Sequence, residues 1–243
     1  MKKALLSGII ALVMMLTLLG AAAFAESSYT VSTSDELKTV LGEIAAGSEK
    51  EAVIVLTGDV QVLNTTDGKY TFGVDGKHIT VRSEGEMKKF SFPGYGILKG
   101  DCTFDNVDVT GSRLFCNGYN TVFTENGQIH LRETLYGGGY KTTVDSTHVV
   151  IAASGYINPS SYSGLHDVIG GSYQGSVEGD TYLEITGDIQ MQGGNHVNPG
   201  CMTGDGSSGD GKNIPAVYVG GNATLIYDNK NSNASPAIEG TYG

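Results

Sequence analysis

The sequence predicts an all-β fold of stacked repeats with one helix ahead of it, on three observations. A strand-and-turn phrase occurs twice: YGGGYKTTVDSTHVVI from Tyr136 and IGGSYQGSVEGDTYLEI from Ile169. Both copies have a Gly-Gly pair, a Tyr two residues later, a polar turn and an alternating run, and VYVGGNATLIY from Val217 is a shorter echo. Recurrence of a strand-and-turn unit at such a period marks stacked repeats. Glycine is 36 of 243 residues while charged residues are 17%, a balance that suits tight turns between short strands and disfavours helix interiors. Third, from Glu51 onward the chain breaks into short segments alternating at period two, separated by the turn pairs Asp67-Gly68, Asp75-Gly76, Asn117-Gly118 and Asn126-Gly127.

In chain order, residues 1–25 read as a secretory signal peptide. Lys2 and Lys3 form the positive end, Ala4 to Gly20 the apolar centre, and Ala23-Phe24-Ala25 the cleavage site before Glu26. The apolar centre is shorter than the roughly 20 residues that span a bilayer. Residues 26–50 supply an N-terminal strand and an amphipathic helix. Thr33 with Glu36 makes a capping box; Leu37, Val40, Leu41, Ile44 and Ala45 fall on one helical face, and Gly47 stops it. Such a helix covers the apolar residues and unpaired edges that the first repeat would expose.

Residues 51–243 form the repeat domain. Ala52 to Leu56 is a near-continuous apolar run, the pattern of a strand covered on both faces. Taking Thr80, Phe104, Val122, Val150, Glu184 and Leu225 as equivalent mid-strand positions, the intervals lengthen from Val122 onward, as if one connecting loop grows. The segment 192–215, rich in Gly, Asp, Ser and Asn, reads as a long surface loop. No helical or charged cap is evident before Gly243, which leaves self-association through that end, a covering partner, or continuation of a longer chain as the expectations.

The helix leading into AVIVLTGDVQV, the phrase CTFDNVDVTG and the YGGGY and IGGSY units resemble bacterial secreted and cell-surface proteins with right-handed parallel β-helix repeats. The resemblance covers most of the chain after the leader and rests on composition-like motifs. It implies coils of about three short strands with inward stacks of Val, Ile, Leu and Phe, and an adhesin-like role. Pectate lyases and polygalacturonases share that fold, so the fold leaves function open.

The net charge is −11, and removal of the leader with its two lysines deepens it to −13. An acidic surface repels phosphate backbones, which excludes nucleic acid as a partner. The polygalacturonase signatures N-T-D, D-D and G-H-G are absent. Asp101, Asp105, Asp108 and Arg113 are the acids and base that neighbouring strands would bring nearest, although Asp105 and Asp108 point apart if they share one strand. The five His (78, 130, 148, 166, 196) show no metal spacing. Asp205 and Asp210 in DGSSGDGKN are the candidate Ca²⁺ ligands, without the spacing of an EF-hand; no other cofactor is indicated. Cys102 and Cys116 either form a disulfide between adjacent coils or pack as buried thiols, with Cys201 left over.

Tyr136, Tyr140, Tyr162 and Tyr173 are the candidate glycan-contacting residues if they face outward, and core fillers if they face inward. Gly137, Gly138, Gly170 and Gly171 are expected at equivalent corners of successive coils. The expected role is a secreted or cell-surface structural and adhesive module that contacts glycans or other surface molecules. The alternative is a carbohydrate-active lyase or hydrolase of the same fold.

Overall fold

The computed structural model describes residues 27–158, 168–191, 196–202, 217–231 and 237–238. Helix α1 (Ser34–Ala46) begins at the capping box. Thr33 Oγ1 accepts from the Glu36 N–H at 3.2 Å, and Glu36 Oε2 accepts from the Thr33 N–H at 3.1 Å. The Ser32 N–H and hydroxyl reach the same carboxylate at 2.7 and 2.8 Å. These bonds, led by the Ser32 N–H, hold the Glu36 pKa below its ordinary value. Leu37, Val40, Leu41 and Ile44 are buried. Ala45 is exposed, contrary to the expected face, because at 100° per residue it falls on the margin of the stripe those four define.

The strands gather into three long sheets. Sheet I holds Ser27–Val31, Glu51–Leu56, His78–Ser83, Asp101–Asp105, Asn120–Phe123, Thr147–Ile151, Thr181–Ile185 and Ala223–Tyr227, in that spatial order. Sheet II holds Val60–Gln61, Lys88–Ser91, Val107–Gly111, Gln128–Leu131, Ser154–Ile157 and Ile189–Gln190. Sheet III runs from Thr65–Thr66 and Lys69–Phe72 through Gly96–Leu98, Leu114–Phe115, Leu135–Tyr136, Val168–Ile169 and His196–Asn198 to Ala237–Ile238. The pairings are parallel except that between Thr65–Thr66 and Lys69–Phe72. From Glu51 to Asn198 the chain visits sheets I, II and III in turn and returns, adding one strand to each, except that the first passage adds two, Thr65–Thr66 and Lys69–Phe72, to sheet III. The fold is mostly β with long parallel sheets, compatible with the expected architecture.

Alternation at period two sends one set of side chains between the sheets. Val81, Phe104, Phe123, Ile151 and Ile185 stand in register across sheet I, all essentially buried. Phe90 from sheet II meets Phe72 edge-on at 4.8 Å and Phe104 at 5.6 Å, and Phe104 stacks on Phe123 at 5.2 Å. The register corrects the expected equivalences at two places. Thr103 and Ile226, not Phe104 and Leu225, align with Thr80, Val122, Val150 and Glu184. A slip of one residue exchanges the two faces of a strand, and Phe104 and Leu225 accordingly face the core while the residues aligned with Thr80 face out.

The return from sheet III to sheet I spans only 73–77, 99–100 and 116–119 in earlier coils, then 137–146 and 170–180. Here the repeated phrases lie one upon the other. The Gly137 N–H donates to Ile169 O at 2.8 Å and the Gly138 N–H to Gly171 O at 2.9 Å; Tyr140 bridges to Tyr173 and Val144 to Val177. Lys141 and Gln174 share a left-handed backbone, φ 57° and 52°. A Cβ on Gly137 would strike the backbone carbonyl of Gly170. The third Gly-Gly pair departs from the expected echo. Val219 bridges to Val177 and the Gly220 N–H donates to Val177 O at 2.8 Å, so Gly220-Gly221 lies against Glu178-Gly179 at the approach to sheet I.

Candidate functional site

The acids and base singled out from the sequence do not share a cleft. Asn106, at φ 50°, turns the chain between sheets I and II and donates its amide to Ser83 O and Gly85 O at 3.0 and 3.1 Å. Asp101 and Asp105 therefore face out from sheet I while Asp108 faces out from sheet II. The corner, absent from a single-strand picture, corrects the expectation that the pair points apart on one strand. Asp105 accepts from Thr124 Oγ1 at 2.6 Å and Asn126 Nδ2 at 3.0 Å, which lower its pKa in that order. Arg113 lies elsewhere, paired with Glu133 at 2.5 Å and over the Tyr95 ring.

The tyrosines are corrected too. Tyr136 is fully buried and Tyr173 is 9% exposed. They pack outside sheet III, where Phe115 stacks on Tyr136 at 4.8 Å and Tyr140 stacks on Tyr173 at 5.6 Å. Tyr140 is half-buried, with Lys69 Nζ 4.4 Å from its ring centroid. The Tyr136 hydroxyl donates to Met202 Sδ at 3.7 Å, and burial pushes its pKa up to about 12. These rings fill a second apolar layer, and the burial of Tyr136 and Tyr173 leaves neither ring a face for a sugar. Tyr162 lies outside the described residues.

Cys102 and Cys116 are free thiols in the core between the sheets, so the disulfide expectation is not met. Burial raises the Cys102 pKa well above its ordinary value and pushes Cys116 up to about 12. Among the described residues no three His, Cys, Asp or Glu are grouped to hold a metal ion; Asp205 and Asp210 lie outside them.

The outer face of sheet II gathers what the sequence left scattered. Alternation turns Val60, Phe90, Val109, Ile129 and Ile189 inward and sends polar side chains out. One outward row runs Lys89, Asp108, Gln128 and Ser154 across successive strands, and a second runs Gln61, Ser91, Thr110, His130, Tyr156 and Gln190. Asp59 extends the first row, its Oδ1 accepting from the Lys89 N–H at 2.8 Å. Both rows are polar throughout. The outer face of sheet I, in contrast, carries Val122, Val150 and the exposed Ile226 in one row, and that of sheet III lies beneath the aromatic layer.

His130 Nδ1 donates to Asp108 Oδ1 at 2.6 Å, and its ring lies 4.6 Å from that of Tyr156. Because a carboxylate only accepts, the proton of this bond sits on Nδ1. Thr110 Oγ1 donates to Ser91 Oγ at 2.9 Å. Beside these rows lies a groove of about 700 Å³, lined by Gly58, Asp59, Glu86, Met87, Lys88, Lys89, Asp108 and Gln128. Lys88 is matched by Glu86 at 2.7 Å. Lys89 is exposed and, among the described residues, has no ion-pair partner.

Asp59, Lys89, Gln128 and His130 carry no motif. Their parity on short strands marks them as outward, but only the register between coils of unequal length brings them together. Comparison with protein families, curated proteins and solved structures returned no match.

Proposed function

We propose that this chain is an exported right-handed parallel β-helix, released by cleavage before Glu26, that serves at the cell surface as a structural and adhesive module contacting glycans or other surface molecules. The observation that carries this reading is the outer face of sheet II: two polar rows, fixed by parallel register and uncovered along a groove. A face whose hydrogen-bonding groups are held by a sheet loses little freedom on binding. The leader supports export, and among the described residues no helix is long and apolar enough to cross a membrane. The net charge of −11 makes nucleic acid an unfavourable partner. Self-association through the end that carries Ala223–Tyr227 belongs to the same reading.

A second reading, a carbohydrate-active enzyme, draws on one observation. The Asp108–His130 pair beside the groove is a base with an orienting carboxylate, as general acid–base chemistry requires. One experiment separates the two: the mature chain on a glycan array, with the bound polysaccharides then assayed for products with and without Ca²⁺. Binding without turnover is the expected outcome, and product formation would replace the module with the enzyme.

A further inference from the structure

Resting on that reading, we infer that the groove bounded by Asp59, Lys89, Asp108 and Gln128 takes an uncharged, hydroxyl-rich oligosaccharide laid across the strands and discriminates against polyanionic glycans. The row alternates in hydrogen-bonding character. Asp59 accepts, Lys89 donates, Asp108 accepts, and the Gln128 amide does both. Neighbouring strands are about 4.8 Å apart, so four successive positions set out a short ladder at fixed intervals. Sugar hydroxyls, each a donor and an acceptor, answer such a row without bringing a charge of their own.

Two bonds leave the carboxylates available. His130 occupies Asp108 Oδ1 and the Lys89 N–H occupies Asp59 Oδ1, so each Oδ2 remains for a ligand hydroxyl. The ammonium of Lys88 is already matched by Glu86. A polyuronate entering the groove would therefore gain one free cation, Lys89, and face the carboxylates of Asp59 and Asp108 on a chain of net charge −11. Like charges across an interface oppose binding. The charge balance thus favours a neutral ligand over an acidic one.

The test is calorimetric titration of the mature chain with xylo-, manno- and cello-hexaose and with an oligogalacturonate of the same length. At least one neutral series is expected to bind, and the oligogalacturonate at least about tenfold more weakly. Lys89→Ala and Asp108→Asn should each weaken binding about tenfold, the scale of one hydrogen bond to a charged group. Tyr182→Ala, on the outer face of sheet I, should leave it unchanged. Lys89 is exposed, so if Asp108→Asn lowers the melting temperature, Lys89→Ala carries the test. Oligogalacturonate binding equal to the neutral series would overturn the selectivity while leaving glycan contact standing. Neutral binding that survives both groove variants would move the site off sheet II. Binding of neither class would remove glycan contact and this inference together.

Discussion

Between the three sheets, Phe104 stacks on Phe123 at 5.2 Å with both rings essentially buried; outside sheet III, Phe115 stacks on Tyr136 at 4.8 Å, equally buried, yet the two layers form by different rules. The inner layer needs only alternation. Every second residue of each strand points inward, and parallel register stacks it on its counterpart one coil away. The outer layer needs the chain to come back over the sheet. Its roof is the pair of long returns, 137–146 and 170–180, held together by Gly137 and Gly138 against Ile169 and Gly171. The inner layer is thus shared by all the coils, while the outer one depends on these two loops and on Met202 from the return that follows them.

Removing a ring from the inner layer should show the largest effect. Phe104 touches rings from all three sheets through Phe72, Phe90 and Phe123. Phe104→Ala should cost about 3–5 kcal/mol, read as a shift of the whole urea transition monitored by far-ultraviolet circular dichroism. A loss confined to one region, with the rest of the transition unmoved, would mean that the coils unfold separately and the inner layer is not shared.

The outer layer can be probed through ionisation. Burial holds the Tyr136 phenol neutral, its pKa pushed from the ordinary 10 up to about 12. Below pH 10 both folded and unfolded chains keep the proton, so its contribution is fully present. As pH rises from 10 toward 12 the unfolded chain loses the proton first, and stability falls by about 1.4 kcal/mol per unit, or about 2–3 kcal/mol over the window. Tyr136→Phe should abolish that share of the alkaline loss, measured as the difference between the two proteins in urea midpoints at pH 9 and pH 12. Identical pH profiles would mean that the returns already stand open in solution and that the two layers differ in permanence as well as construction.

The same contrast explains what was legible in the sequence. Patterns that act within one strand or one helical turn survive translation into structure: the Thr33–Glu36 box, the stripe from Leu37 to Ile44, the inward parity of Phe90 and Ile129. Relations between coils do not, because each coil has its own length. Thr103, not its neighbour Phe104, aligns with Thr80, and the Gly220-Gly221 pair, alike in sequence to Gly170-Gly171, sits at another corner. The Tyr residues looked equally able to face out or in, since a loop that folds back leaves no periodic trace. The groove on sheet II is a relation between coils from end to end. Asp59 meets Lys89, and Asp108 meets His130, through side-chain bonds between neighbouring coils across separations that no motif spans.

The smallest effect should come from the helix that covers the first coil. Its capping box ties Thr33 and Glu36 through two reciprocal bonds at the protein surface, with Ser32 adding two more to the same carboxylate. Thr33→Ala removes the acceptor for the Glu36 N–H and should cost about 1 kcal/mol. The comparison of layers decides where that loss appears. Leu37, Val40, Leu41 and Ile44 belong to the inner core cluster, so if that core is shared, a weaker helix lowers the midpoint of the entire transition by a small amount. If instead the variant shows faster amide exchange only at residues 34–46 with an unchanged midpoint, the helix is a detachable lid, and the inner layer begins at Glu51 rather than at Val31.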